Sequence, residues 1–164
     1  PDSVLEELRT VDAIFLGAIG HPDVKPGILE KGLLLKLRFS LDQYINLRPV
    51  KLYPGVLTPI KDKEPKDIDF VVVRENTEGL YKNIGSIDDN SAQNLMLYTR
   101  KGCERIIKYA FEFAKKKGHS KVTSVDKANL LKTRQLWRKI LHEIGENYPK
   151  IQKTHLSHLN IDTC

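Results

Sequence analysis

The stretch KVTSVDKANLLKTRQLWRKILHEIG, Lys121–Gly145, changes its period half-way along. Lys121–Asp126 is a short strand-like run, whereas Trp137, Ile140, Leu141 and Ile144 recur at helical spacing and the pattern stops near Gly145, ahead of Pro149. A strand that feeds straight into a helix is the unit from which α/β proteins are built. Asp126 and Lys127 sit side by side at the junction. In open α/β sheets ligands meet the protein at the carboxyl ends of strands, so Lys127 is a candidate for chemistry. The plain alternative is a capping pair with surface charge.

The alternation continues on both sides. VDAIFLGAIG, Val11–Gly20, reads as a buried strand running into a glycine turn, and HPDVKPG after it as a loop. A helix is predicted from Leu29 to Tyr44, then a strand in LRPVKLYPG bracketed by Pro49 and Pro54. The continuous apolar run of IDFVVVRE suits a strand covered on both faces. From Tyr81 to Asn94 the chain is polar and contains glycine, and NLMLYT reads as a short strand, so a hairpin-like arm that needs a partner is expected here. Cys103, Ile106, Ile107, Ala110, Phe113 and Ala114 give a helix over Lys101–Lys117 one buried face. The class is α/β. The chain opens on what reads as the tail of a helix and stops at NIDTC in an extended segment, as expected of a fragment of a larger protein.

A length of 164 residues with 40% hydrophobic and 29% charged side chains suits a globular domain with a real core. AIFLGAIG and FVVV are too short to cross a bilayer and PDSVLEELRT lacks signal-peptide order, so a cytoplasmic protein is expected. Cys103 and Cys164 have no zinc-site spacing and read as free thiols. The net charge of +6 is spread through KDKEPKD, KKKGHSK and helix faces without interleaved aromatics, and a small anionic substrate explains the excess as well as nucleic acid does.

Arg38, Arg48 and Arg74 stand at the ends of elements, and three guanidinium forks converging on one carboxylate is the functional reading; three unrelated surface arginines is the bland one. Tyr81 follows Arg74 in RENTEGLY, where Gly79 permits a turn that re-aims the ring, and a phenol can donate a proton. Asp162 is a candidate ligand for a hard cation, although one carboxylate is not a site. His155 and His158, three apart on a strand, face opposite sides and read as structural. Gly17 and Gly20 do not complete a GxGxxG.

Taken together, LLLKLR, INLRPVKLYPGV, DIDFVVVRENTEGLY and SVDKANLL resemble the β-decarboxylating dehydrogenases, the family of isopropylmalate, isocitrate and D-malate or tartrate dehydrogenases. The resemblance runs from DAIFLGAIGHP to the final NID. SVDKANLL followed by a Trp-Arg-Lys helix is similar to the isopropylmalate branch, while DQYINLRPVKLYPGV and RENTEGLY are shared with the malate and tartrate branch.

The resemblance implies an isopropylmalate dehydrogenase-like fold of two α/β domains. This chain would supply part of the first over 1–43 and most of the second over 44–164, with a dimer arm near 81–98. It also implies metal-dependent oxidative decarboxylation of a 2-hydroxy diacid, with hydride passing to NAD and Mg2+ or Mn2+ as the metal. Arg38, Arg48 and Arg74 would bind the substrate carboxylate, Lys127 would take the hydroxyl proton, Tyr81 would act as general acid, Asn129 would lie near the nicotinamide, and Asp162 would be a metal carboxylate. Leu34 and Leu35 would cover an isopropyl group, which favours 3-isopropylmalate over D-malate or tartrate. GLLLKLR, Gly32–Arg38, has one residue more than the GLLSLR-like pattern of many isopropylmalate enzymes. The implied assembly is a homodimer with shared sites; the fragment alone would be inactive, and a non-catalytic dimerising domain is the alternative of another class.

Overall fold

The computed structural model describes residues 2–25 and 27–156, and the chain divides into two units, Pro1–Tyr44 and Ile45–Cys164. In the first, helix α1 (Asp2–Leu8) turns Leu5 inward, and Lys36 Nζ reaches Asp2 Oδ1 at 2.9 Å. A second helical segment begins as a π turn over Glu30–Leu35 and continues as α2 (Lys36–Ser40). A π turn closes its hydrogen bond one residue later than an α turn, which is how a helix takes in an extra residue such as the one in GLLLKLR.

Val11–Gly20 forms no strand, contrary to the apolar pattern, and Phe15 is fully exposed. The reason is pairing: no strand among the described residues offers this segment a ladder, and an apolar run alone does not make a strand.

The second unit opens with β1 (Ile45–Lys51) antiparallel to β2 (Asp69–Glu75), in a register that sets Asn46 opposite Arg74 and Arg48 opposite Val72. Pro49 lies within β1 rather than bracketing it, which is tolerated because β1 has one hydrogen-bonded neighbour among the described residues. The expected cover on both faces of β2 is also corrected. Helix α3 (Arg100–Lys117) packs on one side, while Phe70 and Val72 on the other remain exposed, at 50% and 41%.

A short hairpin, β3 (Gly85–Ile87) with β4 (Ala92–Asn94), follows a 3-10 turn at Leu80–Lys82. NLMLYT is not a strand: beyond Asn94 it makes one isolated bridge, Leu97 to Gly79, because its neighbour is already turning into the 3-10 segment. After α3, strand β5 (Lys121–Val125), helix α4 (Lys132–Gly145) and strand β6 (Gln152–Leu156) form a βαβ unit with β5 and β6 parallel. The core lies between α3 and α4. Cys103, Ile106, Ile107 and Phe111 from α3 meet Ile140 and Leu141 from α4, each almost wholly buried. Phe111, four residues after Ile107, takes the inward place expected of Phe113, which is half-buried and stacks near His119. Among the described residues no helix is long and apolar enough to cross a membrane.

The start of α3 is tied to the end of β2. Thr99 caps the helix, its hydroxyl accepting from Gly102 N at 3.0 Å, and the Glu78 carboxylate in turn accepts from Thr99 N at 2.8 Å and Thr99 Oγ1 at 2.7 Å. The carboxylate rests where a side chain on Gly102 would be, since a Cβ there would lie 2.1 Å from Glu78 Oε2. One residue on, the Cys103 thiol is wholly buried, and burial, reinforced by Glu78 and Glu75, pushes its pKa up to about 11.

Two outcomes follow from this packing. In an open helix Gly→Ala gains up to about 1 kcal/mol. Gly102→Ala should instead cost roughly 1–3 kcal/mol in urea unfolding of the full-length protein, because it displaces a buried carboxylate from its donors. A stabilised variant would show that Glu78 is not held there. Cys103 should resist iodoacetamide near neutral pH until the protein unfolds, since the neutral thiol is held both buried and above its ordinary pKa; peptide mapping that finds it alkylated in the native state would contradict this.

Candidate active site

In an antiparallel pair, residues directly opposite share a face and alternate residues along a strand return to it. The β1–β2 register therefore gathers Asn46, Arg48, Val72 and Arg74 on the face that α3 leaves uncovered, with Arg48 and Arg74 as diagonal neighbours. Arg48 Nε donates to Asn46 Oδ1 at 2.8 Å. Arg74 Nη2 donates to the Tyr81 hydroxyl, and its guanidinium carbon lies 4.8 Å from the ring centroid. Two guanidinium groups and one phenol thus stand together on an open surface, an arrangement that suits a small carboxylate and a proton donor beside it.

The loop between Arg74 and Tyr81 is held by buried polar groups rather than by apolar packing. Glu75 accepts from Thr77 N at 2.9 Å, Thr77 Oγ1 at 2.8 Å and Glu78 N at 2.6 Å, and Arg105 of α3 donates to Thr77 Oγ1 at 2.6 Å. Gly79 then turns the chain with a φ of 76°, and a Cβ there would come within 2.7 Å of the Tyr98 hydroxyl. Its amide donates to Leu97 O at 2.7 Å, which fixes the start of the 3-10 turn that carries Tyr81. Sequence reading missed Asn46, Glu75, Glu78 and Arg105. Asn46 was within reach through its strand period with Arg48; the Glu78–Thr99 contact spans 21 residues and leaves no local signal.

Lys127 and Asn129 lie on a different sheet, in the turn after β5. Lys127 is half-buried and its carbonyl accepts from Leu130 N and Leu131 N, at 3.2 and 3.0 Å. Asp126 before it is 2% exposed and receives Arg138 of α4 in a two-point contact, Nη2 to Oδ1 at 2.5 Å and Nε to Oδ2 at 3.2 Å. Ser124, on the same strand, accepts from Trp137 Nε1 at 3.2 Å. His155 approaches Asp126 at 3.9 Å with its ring against that of His142; burial holds its pKa below the ordinary value, His142 and Arg138 add to this, and Asp126 opposes it.

Arg38 stands on α2 of the first unit, with Leu34 and Leu35 half-buried in the π turn before it. Asp162, His158 and Cys164 lie outside the described residues. Among the described residues no group of three or more His, Cys, Asp or Glu is placed to hold a metal ion.

All of residues 1–164 match the family described as Isocitrate/isopropylmalate dehydrogenase. The chain is 46% identical over 162 residues to the 3-isopropylmalate dehydrogenase of Thermobifida fusca (strain YX), covering 95% of this chain and 46% of that protein. It is 42% identical over 165 residues to the D-malate dehydrogenase [decarboxylating] of Escherichia coli (strain K12), with coverage of 95% and 46%. Among solved structures, an isocitrate dehydrogenase from Methylococcus capsulatus superposes with a TM-score of 0.83 at 37% identity, covering 100% of this chain and 47% of that one. The chain spans about half the length of the curated relatives it matches. With the whole chain matched and the fold shared, this protein belongs to the isocitrate/isopropylmalate dehydrogenase family.

Proposed function

We propose that the full-length protein, in the cytoplasm, oxidatively decarboxylates a 2-hydroxy dicarboxylic acid, with 3-isopropylmalate as the preferred substrate. The observation that carries the reading is the sheet face shared by Arg48 and Arg74, with Tyr81 of the 3-10 turn bonded to Arg74 beside it. Arg48 and Arg74, with Arg38, hold the carboxylate next to the reacting carbon. Lys127 accepts the hydroxyl proton as the carbinol carbon is oxidised, the hydride being what a bound nicotinamide would take up. When the β-carboxylate departs as carbon dioxide, the electron pair of the broken bond passes to the enolate, and Tyr81 protonates its carbon. The phenol oxygen accepts from Arg74, which holds the hydroxyl beside the guanidinium.

The cofactors rest on family membership. NAD would accept the hydride, with Asn129 beside the nicotinamide. Mg2+ or Mn2+ would act as a Lewis acid on the substrate oxygen, and Asp162, outside the described residues, is the carboxylate proposed to help hold it. D-malate or tartrate is the second reading, favoured by the 42% identity to a D-malate dehydrogenase. Leu34 and Leu35 decide between them if they face the substrate's alkyl group. The β3–β4 hairpin, with Ile87 exposed at 83%, is proposed to pair with its counterpart in a homodimer, covering an apolar surface that a lone subunit leaves in water. A dimerising module without catalysis is the reading that remains if no diacid is turned over.

Lys127→Met in the full-length protein should lower kcat by about 10²–10⁴-fold with the fold intact; near-normal turnover across the pH range would remove Lys127 as the base. A higher kcat/KM on D-malate or tartrate than on 3-isopropylmalate would move the second reading to first place. If sites are shared across the dimer, mixing inactive Lys127→Met with inactive Arg74→Met under subunit exchange should restore one intact site per heterodimer. No recovery despite demonstrated exchange would place both residues in one subunit's site.

A further inference from the structure

The side chains of Arg138 and Gln135, three residues apart and therefore on one face of α4, grip the two neighbours of Lys127. Arg138 binds the Asp126 carboxylate at both oxygens, and Gln135 Nε2 donates to Ala128 O at 3.1 Å. Asp126 Oδ1 also accepts from Ala128 N at 3.1 Å, closing a turn stabilised by an aspartate side chain around Lys127 itself. Joining β5 to α4 does not require this. Ile140 and Leu141 are buried in the core, and Trp137 already ties α4 to Ser124 of β5. Nor does a buried ion pair add much stability, since well-packed apolar residues often replace one without loss. What the two contacts do uniquely is immobilise the backbone on either side of one lysine.

We propose that Arg138 and Gln135 are positioning residues for Lys127: acting through Asp126 and Ala128, they fix the backbone from which its amine reaches the substrate. The inference rests on the reading of Lys127 as the base. Misplacing a catalytic group by about 1 Å can cost about 10²-fold in rate, so a rigid backbone at this position has a kinetic consequence that binding of substrate by the arginines does not share. Asp126 faces Arg138 from α4 and His155 from β6, the latter backed by His142 of α4. Without Arg138 its carboxylate would be poorly compensated and would favour the protonated lysine beside it.

The test uses the full-length protein with 3-isopropylmalate or the diacid it turns over, NAD and Mg2+ or Mn2+. Arg138→Met should lower kcat by about 10–100-fold with KM for the diacid changed by no more than about twofold, and the acid limb of kcat against pH should move to higher pH. Adding Asp126→Asn should return the limb towards its wild-type position while kcat stays low, because the charge is gone and the two-point grip is still missing. Gln135→Leu should lower kcat severalfold with the limb unmoved. A folded Arg138→Met enzyme with wild-type kcat and pH profile overturns the proposal. If that variant does not fold, Gln135→Leu decides alone, and wild-type kcat there overturns it equally. Lys127→Met separates the two levels. Retained turnover in that variant sinks the reading of Lys127 and this inference with it, whereas loss of turnover with unaffected Arg138 and Gln135 variants sinks the positioning role only.

Discussion

The carboxylate of Glu78, seated over the first turn of α3 above Gly102, is the contact on which the second unit is assembled. It satisfies the amide and hydroxyl of the capping residue Thr99, and it anchors one end of the loop whose other side carries Tyr81. The helix it caps contributes Cys103, Ile106, Ile107 and Phe111 to the core. A single buried anion therefore couples the place of the core helix to the aim of a phenol on the surface. Because the bonds reach donors at the end of a helix, the arrangement draws on the helix dipole as well as on hydrogen bonding.

Buried polar groups recur wherever a candidate functional side chain leaves a strand. Glu75 and Glu78 follow Arg74, and Asp126 precedes Lys127; all three acids are under 8% exposed. Glu75 and Asp126 each meet a backbone amide and an arginine of the following α-helix, Arg105 and Arg138, while Glu78 meets the amide and hydroxyl of the residue that caps α3. Such pairs hold a loop where apolar side chains have nothing to pack against, and they do so with directional bonds. Exposed Arg48 and Tyr81 and half-buried Arg74 then need little packing of their own to be well placed. In both turns the charged residue that meets solvent is adjacent in sequence to one that does not.

The alternation of periods made the α/β class, β2, β5 and both long helices legible from sequence, because their patterns are local. Arg48 and Arg74 were legible as candidates by chemistry, while their sharing of a face depends on a register that the sequence does not state. Val11–Gly20 was misread because an apolar run reports burial or pairing only when a partner is present. NLMLYT failed for the opposite reason: its neighbour was committed to a 3-10 turn and left it one bridge. The roles of Glu78, Arg105 and Arg138 were invisible because each acts on a residue at least 12 positions away, where no spacing rule reaches.

The π turn at Glu30–Leu35 bears on how this part of the chain tolerates change in length. Adding a residue to a regular α-helix rotates everything beyond it by about a quarter turn, given 3.6 residues per turn. A π turn absorbs the addition in one widened loop of backbone and lets the helix on either side keep its phase. Arg38, in the α-helical part that follows, can thus hold its orientation while the leucines before it are lengthened or shortened by one. Variation in the wall and constancy of the anchor are separated within ten residues of chain, so insertions and deletions, and not only substitutions, become a route by which such a helix can be retuned.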